Sequence, residues 1–158
     1  MEELANSYKI PFYYFPITTE NKEEQEAEEI KLLKKLDIDS VILARYMQIL
    51  SDNFVSTFKN KIINIHHSFL PAFIGGNPYK QAFERGVKMI GATSHFVSAD
   101  LDEGPIIAQD IIRINHKDNV QILIRKGRDL ERLVLVNAIR LFLEHRVLVH
   151  KGKTIVFD

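Results

Sequence analysis

An α/β domain with a mostly parallel sheet, flanking helices and a C-terminal hairpin is the architecture this sequence predicts, on three observations. Short apolar runs at 40–44 and 62–65 alternate with capped or amphipathic helical segments, the pattern of βα units rather than of a bundle or a sandwich. These runs are continuous rather than alternating, as strands buried on both faces of a parallel sheet require. Residues 147–157 form two apolar stretches turning at Lys151-Gly152, which reads as a hairpin.

Composition sets the limits. A chain of 158 residues with 46% hydrophobic and 27% charged residues supports one ordinary globular core, and it holds no internal repeat, low-complexity tract or linker. Lys plus Arg and Asp plus Glu both total 21, so no nucleic-acid backbone or acidic membrane partner is expected. The absence of cysteine excludes disulfides and thiolate metal sites and suits a reducing compartment. Met1 leads into Glu2-Glu3 without a basic or apolar leader, and no apolar run approaches the ~20 residues of a membrane span. The expected location is therefore cytoplasmic.

Each element has its own signal. Residues 10–17 are aromatic and β-branched but carry Pro11 and Pro16, which reads as a short strand near a sheet edge. Residues 21–36 read as a helix, with Glu23, Glu24, Glu26, Glu28 and Glu29 toward its positive end and Lys31, Lys34 and Lys35 toward its negative end. Ala27, Ile30, Leu33 and Leu36 form its expected buried stripe, and the charge run is a solvated face. Residues 40–44 are a buried strand, and Ser51 or Asp52 caps a short helix ending before Lys59. The strand at 62–65 delivers His66 and His67 to its C-terminal end, where α/β sheets bind ligands. Gly75-Gly76 fits no phosphate-cradling pattern and reads as a flexible loop. Asn77 as N-cap, Pro78 as first helical residue and Gly86 just past the end bound a helix over 78–85. Strands at 89–97 and 106–114 flank an acidic turn. A long helix over 119–146 places Val120, Leu123, Ile124, Gly127, Leu130, Val134, Ala138 and Leu141 at helical spacing, with Gly127 permitting close packing.

Chemistry-bearing residues gather at the ends of these runs. Asn64 and His66 share a strand face by the period of two, whereas Asn64 alone would read equally well as a satisfied buried amide. His67 points elsewhere if the strand geometry persists, so the adjacent pair is a poor chelate, and without an H-x-x-x-H helix or cysteine set no metal site is expected. Asp100, Asp102 and Glu103 before Gly104-Pro105 read on their own as a polar turn. Arg45-Tyr46-Met47-Gln48 follows a buried strand and faces the same crevice, where an apolar slot can receive a flat heterocycle. Together these residues are the parts for acyl chemistry: an amide for a developing oxyanion, an imidazole to move a proton, and a carboxylate to hold that imidazole charged.

The run Asn64-Ile65-His66-His67-Ser68-Phe69-Leu70-Pro71, the stretch Gly91-Ala92-Thr93-Ser94-His95-Phe96-Val97, the segment from Asp100 to Gln109 and the run Arg45-Tyr46-Met47-Gln48-Ile49-Leu50 carry a family resemblance. They resemble the formyltransferase-type catalytic domain of the formyltetrahydrofolate deformylases, over essentially the whole chain. Glycinamide ribonucleotide transformylases share the Asn-x-His and later His and Asp pattern but typically carry proline directly after the histidine, so His67 resembles the deformylase form. The resemblance implies a partial Rossmann-like formyltransferase fold over residues 1–158, N-terminally truncated relative to the family. Family members begin this domain with a strand, a helix and a further strand, often behind an ACT regulatory domain, and none of these is visible before Ile10. The implied activity is hydrolysis of 10-formyltetrahydrofolate to formate and tetrahydrofolate, which supplies formate for purine synthesis and balances one-carbon pools. The folate is then the small-molecule substrate, with no cofactor besides. By the same resemblance Asn64, His66 and Asp102 take the catalytic positions, while Arg45, Met47, Ile49, His67, His95, Asp100 and Gly104 border the folate. Two alternatives stay open: folate-dependent formyl transfer to an amine such as glycinamide ribonucleotide, and a chain that only binds folate or a partner. Interior strands without their usual neighbours lead us to expect a homo-oligomer, most simply a two-fold dimer.

Overall fold

The computed structural model describes residues 1–72 and 77–157; Gly75-Gly76 lies outside the described residues. Residue contacts divide the chain into two compact units, Met1–Ile38 and Asp39–Asp158.

The first unit holds helices α1 (Glu2–Ser7) and α2 (Lys22–Lys35). Residues 10–17 form no strand, contrary to the sequence expectation. Pro11 and Pro16 supply no N–H to a ladder, and the Pro16 carbonyl instead accepts from the Asn21 side-chain amide at 2.9 Å, while Asn21 Oδ1 accepts from the Thr18 N–H at 2.7 Å. The buried face of α2 is also rotated from the expected stripe: Glu26 and Ile30 are buried, whereas Ala27 and Leu36 are exposed. Glu26 is thus not part of a solvated face, and Lys22 Nζ stands 3.7 Å from its carboxylate, one turn away. Burial, and then the charge of Glu26, hold the Glu29 carboxyl above its ordinary range.

The second unit is a four-stranded sheet in the order β1 (Val41–Leu43), β2 (Ile62–His66), β3 (Met89–Phe96), β4 (Ile106–Arg113). Among the described residues β1 and β2 pair parallel, and β2–β3 and β3–β4 antiparallel. The α/β class is as expected, but the described sheet is mixed rather than mostly parallel. The short loop between β3 and β4 accounts for one of the reversals, because a parallel return needs a crossover of a dozen or more residues. Between the strands run α3 (Asp52–Thr57) and α4 (Pro78–Arg85), followed by α5 (Val120–Leu143) and a hairpin of β5 (Val147–His150) and β6 (Lys153–Val156).

Capping sets these boundaries. Ser51 Oγ accepts from the Phe54 N–H at 3.2 Å and Asn119 Oδ1 from the Ile122 N–H at 2.9 Å, each satisfying a donor at a helix start. Gly86 ends α4 with φ +68°, and Lys151 and Gly152, both at positive φ, turn the hairpin. The Asn77 side chain makes no capping bond; its backbone carbonyl accepts from Lys80 and Gln81 instead.

The core lies between one sheet face and α5. Ile63 and Ile65 of β2, Ile90, Ala92 and Phe96 of β3 and Ile107 of β4 pack with Leu123, Leu130, Val134 and Ala138. Because side chains alternate along a strand, sending Ile63, Ile65, Ala92 and Phe96 to α5 turns Asn64, His66, Thr93 and His95 to the opposite face. Register then sets these polar residues side by side, Asn64 opposite His95 and His66 opposite Thr93.

Candidate active site

A cavity of about 280 Å³ opens on that polar face, at the C-terminal ends of β1 and β2. One wall is residues 46–50 after β1, the floor is Asn64, His66 and His95, and the far wall is the loop at 97–102. Met47 and Ile49, 71% and 54% exposed, give it an apolar lip. The other walls carry the polar groups. This is the composition of a small-molecule pocket with a few convergent polar atoms.

His66 Nδ1 stands 3.0 Å from Asp102 Oδ2, and both side chains are nearly sealed from solvent, 7% and 10% exposed. A carboxylate accepts only, so Nδ1 carries the proton and the ring's chemistry toward a substrate runs through Nε2. Asp102 reaches this position with φ +58°, a left-handed conformation that aspartate tolerates better than most residues and that recurs at functional sites. Gly104 makes the turn possible: a Cβ there would lie 1.7 Å from the Phe96 carbonyl oxygen.

His95 joins the group. It is 2% exposed, and its Nδ1 donates to the Phe96 carbonyl oxygen at 2.9 Å. In the neutral ring Nε2 is then an acceptor, and it lies 3.4 Å from Asn64 Nδ2. That contact engages one N–H of the Asn64 amide and leaves the second for a ligand. The same Nε2 is 3.5 Å from Asp102 Oδ1, so His95 sits beside both members of the polar cluster. A register shift against β4 falls between Ser94 and His95, a β-sheet irregularity of the kind that re-aims a side chain beside a site.

The segment after β2 is held from the strand beside it. Thr93 Oγ1 donates to the Ser68 carbonyl at 2.9 Å and accepts from the Leu70 N–H at 3.1 Å and from Gln109 Nε2 at 2.8 Å. Gly91 lets this segment cross β3, since a Cβ there would lie 2.6 Å from Phe69 Cβ. Sequence reasoning gave Thr93 and Gln109 no role. The available signal was the placement of Thr93 and His95 two residues apart, on one face of the strand.

Of the residues singled out from the sequence, Asn64, His66, Asp102, Met47, Ile49, His67, His95 and Asp100 all line this cavity. Gly104 shapes the loop behind His95 rather than the wall. Arg45 is elsewhere. With φ +56° it leaves the crevice and lines a separate cavity of about 290 Å³ with Arg128, Glu131 and Arg132 of α5. Among the described residues, no group of three or more His, Cys, Asp or Glu side chains is arranged to hold a metal ion, and no helix is long and apolar enough to cross a membrane.

A mixed sheet whose β2 carries an Asn and a His, with an Asp brought to the same pocket by the β3–β4 loop, defines a class, and comparison with known proteins supplies it: the formyl transferase family model matches residues 2–139, and the chain belongs to that family. Within it, the chain is 59% identical over 157 residues to the formyltetrahydrofolate deformylase of Synechocystis, covering 99% of this chain and 55% of that protein. The crystal structure of a formyltetrahydrofolate deformylase from Pseudomonas syringae superposes with a TM-score of 0.96 at 48% identity, over 99% of this chain and 53% of that one. Glycinamide ribonucleotide transformylase 1 from Symbiobacterium toebii gives a TM-score of 0.84 at 34% identity, over 99% of this chain and 74% of that one. The chain thus spans about half the length of the deformylases it matches.

Proposed function

We propose that this chain carries the site for hydrolysis of 10-formyltetrahydrofolate to formate and tetrahydrofolate. The observation that carries the reading is the enclosed His66–Asp102 pair beside the Asn64 amide, in a pocket whose apolar lip suits a flat heterocycle. The deformylase names of the relatives support it.

In this mechanism the folate ring lies along residues 46–50 and its formyl group points to Asn64 and His66. Water attacks the formyl carbon. The oxyanion that forms accepts from the second N–H of Asn64 and from Nε2–H of protonated His66, whose charge Asp102 sustains through Nδ1. Collapse of the tetrahedral adduct breaks the carbon–nitrogen bond: one proton of the attacking water ends on the leaving nitrogen, the other is released to solvent, and formate departs. His95 holds Asn64 so that its amide is already aimed before substrate arrives. The resemblance implies proline at the position of His67 in transformylases, and an imidazole there can hydrogen-bond the attacking water where proline cannot.

The likeness to a glycinamide ribonucleotide transformylase keeps formyl transfer to an amine as the second reading. Incubating the chain with 10-formyltetrahydrofolate, with and without glycinamide ribonucleotide, separates the two. Formate at the same rate in both mixtures supports hydrolysis. Formylated amine with no formate would support transfer, and folate binding without either product would leave a binding chain.

A further inference from the structure

Outside the cavity, a second set of contacts leads to His67 from the opposite side. The His66 and His67 rings stack, with centroids 5.3 Å apart and planes inclined by 15°. On the side of α4, the Tyr79 ring centroid lies 6.4 Å from that of His67. The Tyr79 hydroxyl donates to Glu131 Oε1 of α5, 52 residues away in the chain. Burial first, and then the bond to Glu131 and its charge, push the phenol well above its ordinary value against the opposing charges of Arg128 and Arg45, so it stays a donor.

Gly127 fits the same arrangement. A Cβ at this buried helix position would lie 2.1 Å from Tyr79 Oη and 2.2 Å from Cζ. Glycine inside a helix is less stable than alanine, and its use here makes room for the tyrosine ring.

We propose that Tyr79 is a positioning residue: anchored by Glu131 and seated over Gly127, its ring fixes the His67 imidazole against His66 and so sets the orientation of the His66–Asp102 pair. The inference rests on the reading of His66 as the acting imidazole. Its chemistry is geometric, because Tyr79 meets neither water nor formyl carbon. It works through the stack, where a misplacement of about 1 Å at a reacting group is enough to cost about 10²-fold in rate.

The test reads the imidazole ¹⁵N and Cε1–H NMR signals of His66 and His67 in the whole chain, which report geometry without turnover. Tyr79→Phe keeps the ring and removes the anchor, and Glu131→Ala removes its partner; both should shift and broaden the two histidines' signals. Glu131→Gln keeps an acceptor oxygen and should restore them. Gly127→Ala should disturb the same signals when Tyr79 is present and leave them alone in a Tyr79→Ala background, the non-additivity expected of groups in contact. If formyl hydrolysis is measurable, Tyr79→Phe should lower kcat about 10-fold with KM changed less than about twofold, a loss confined to the reacting geometry. Unchanged His66 and His67 signals in Tyr79→Phe and Glu131→Ala, with only the melting temperature lowered, would reduce Tyr79 to a packing residue and overturn the proposal. Disturbed signals in a chain that releases no formate would instead uphold the positioning role and count against hydrolysis.

Discussion

Asp102→Asn is the substitution whose effect the structure sizes best. The change keeps shape and removes one charge 3.0 Å from His66 Nδ1, at a place where both side chains are nearly sealed. At an effective dielectric of about 20, a full charge pair at that distance interacts by roughly 5 kcal/mol, an upper limit on the stabilisation lost by an imidazolium. Each 1.4 kcal/mol is about tenfold, so the ceiling is roughly 10⁴, and losing a positioned acid or base typically costs about 10²–10⁴. A fall of about 10³ in the rate of formate release is therefore expected. Folate affinity should change little, because the charge acts on the developing oxyanion more than on bound substrate. Rate comes from a coupled formate assay and affinity from folate fluorescence. An Asp102→Asn chain that releases formate within threefold of the parent rate would refute the pair as the acting unit.

Gly104→Ala should destabilise the fold by about 1–3 kcal/mol in urea titrations and disturb Asp102, because its Cβ has nowhere to go beside the Phe96 carbonyl. Lys126, hydrogen-bonded to Asp118, holds that carboxyl below its ordinary value of 3.8. The stabilisation is thus present above pH 3.8 and lost as pH falls through the lower folded value, so the gap in melting temperature between the parent and Asp118→Asn should close on acidification. Glu29 has the opposite sign: a raised carboxyl is destabilising while ionised, so Glu29→Gln should raise the melting temperature at pH 7, with the gain vanishing below the ordinary value of 4.5. Among the described residues β1 is the terminal strand of its sheet, and pairing through its outer edge should appear in sedimentation as a concentration-dependent dimer that Ile42→Pro weakens. A monodisperse parent chain across the concentration range would contradict that pairing.

Signals confined to a few neighbouring residues read through from sequence to structure. The Asn119 cap, the apolar spacing of α5, the Lys151-Gly152 turn and the strand that ends at His66 are all set locally, and each stands where the sequence places it. Strand direction is different. An apolar run at 89–97 is equally consistent with a parallel or an antiparallel partner, because periodicity encodes the face and not the neighbour. At 10–17 two prolines outweighed β-propensity, and in α2 the buried face was shifted by one position, enough to bury Glu26 and expose Ala27. In the site, alternation along β2 correctly pairs Asn64 with His66, while Arg45 escaped because one left-handed residue reverses where a side chain goes. The Tyr79–Glu131 contact had no sequence signal at all, since helix packing alone brings the two together.

Single-turnover formate release by the parent chain and by Asn64→Ala, with no amine present, separates hydrolysis at this pocket from folate binding alone. Asn64 is the one residue assigned only to the oxyanion, and removing such a donor typically costs about 10²–10³ in rate. The parent chain should release formate and tetrahydrofolate in equal amounts, and the variant should lose rate by that factor at unchanged folate affinity. Equal rates from both chains, or tight folate binding by a folded parent chain that releases no formate, would contradict it.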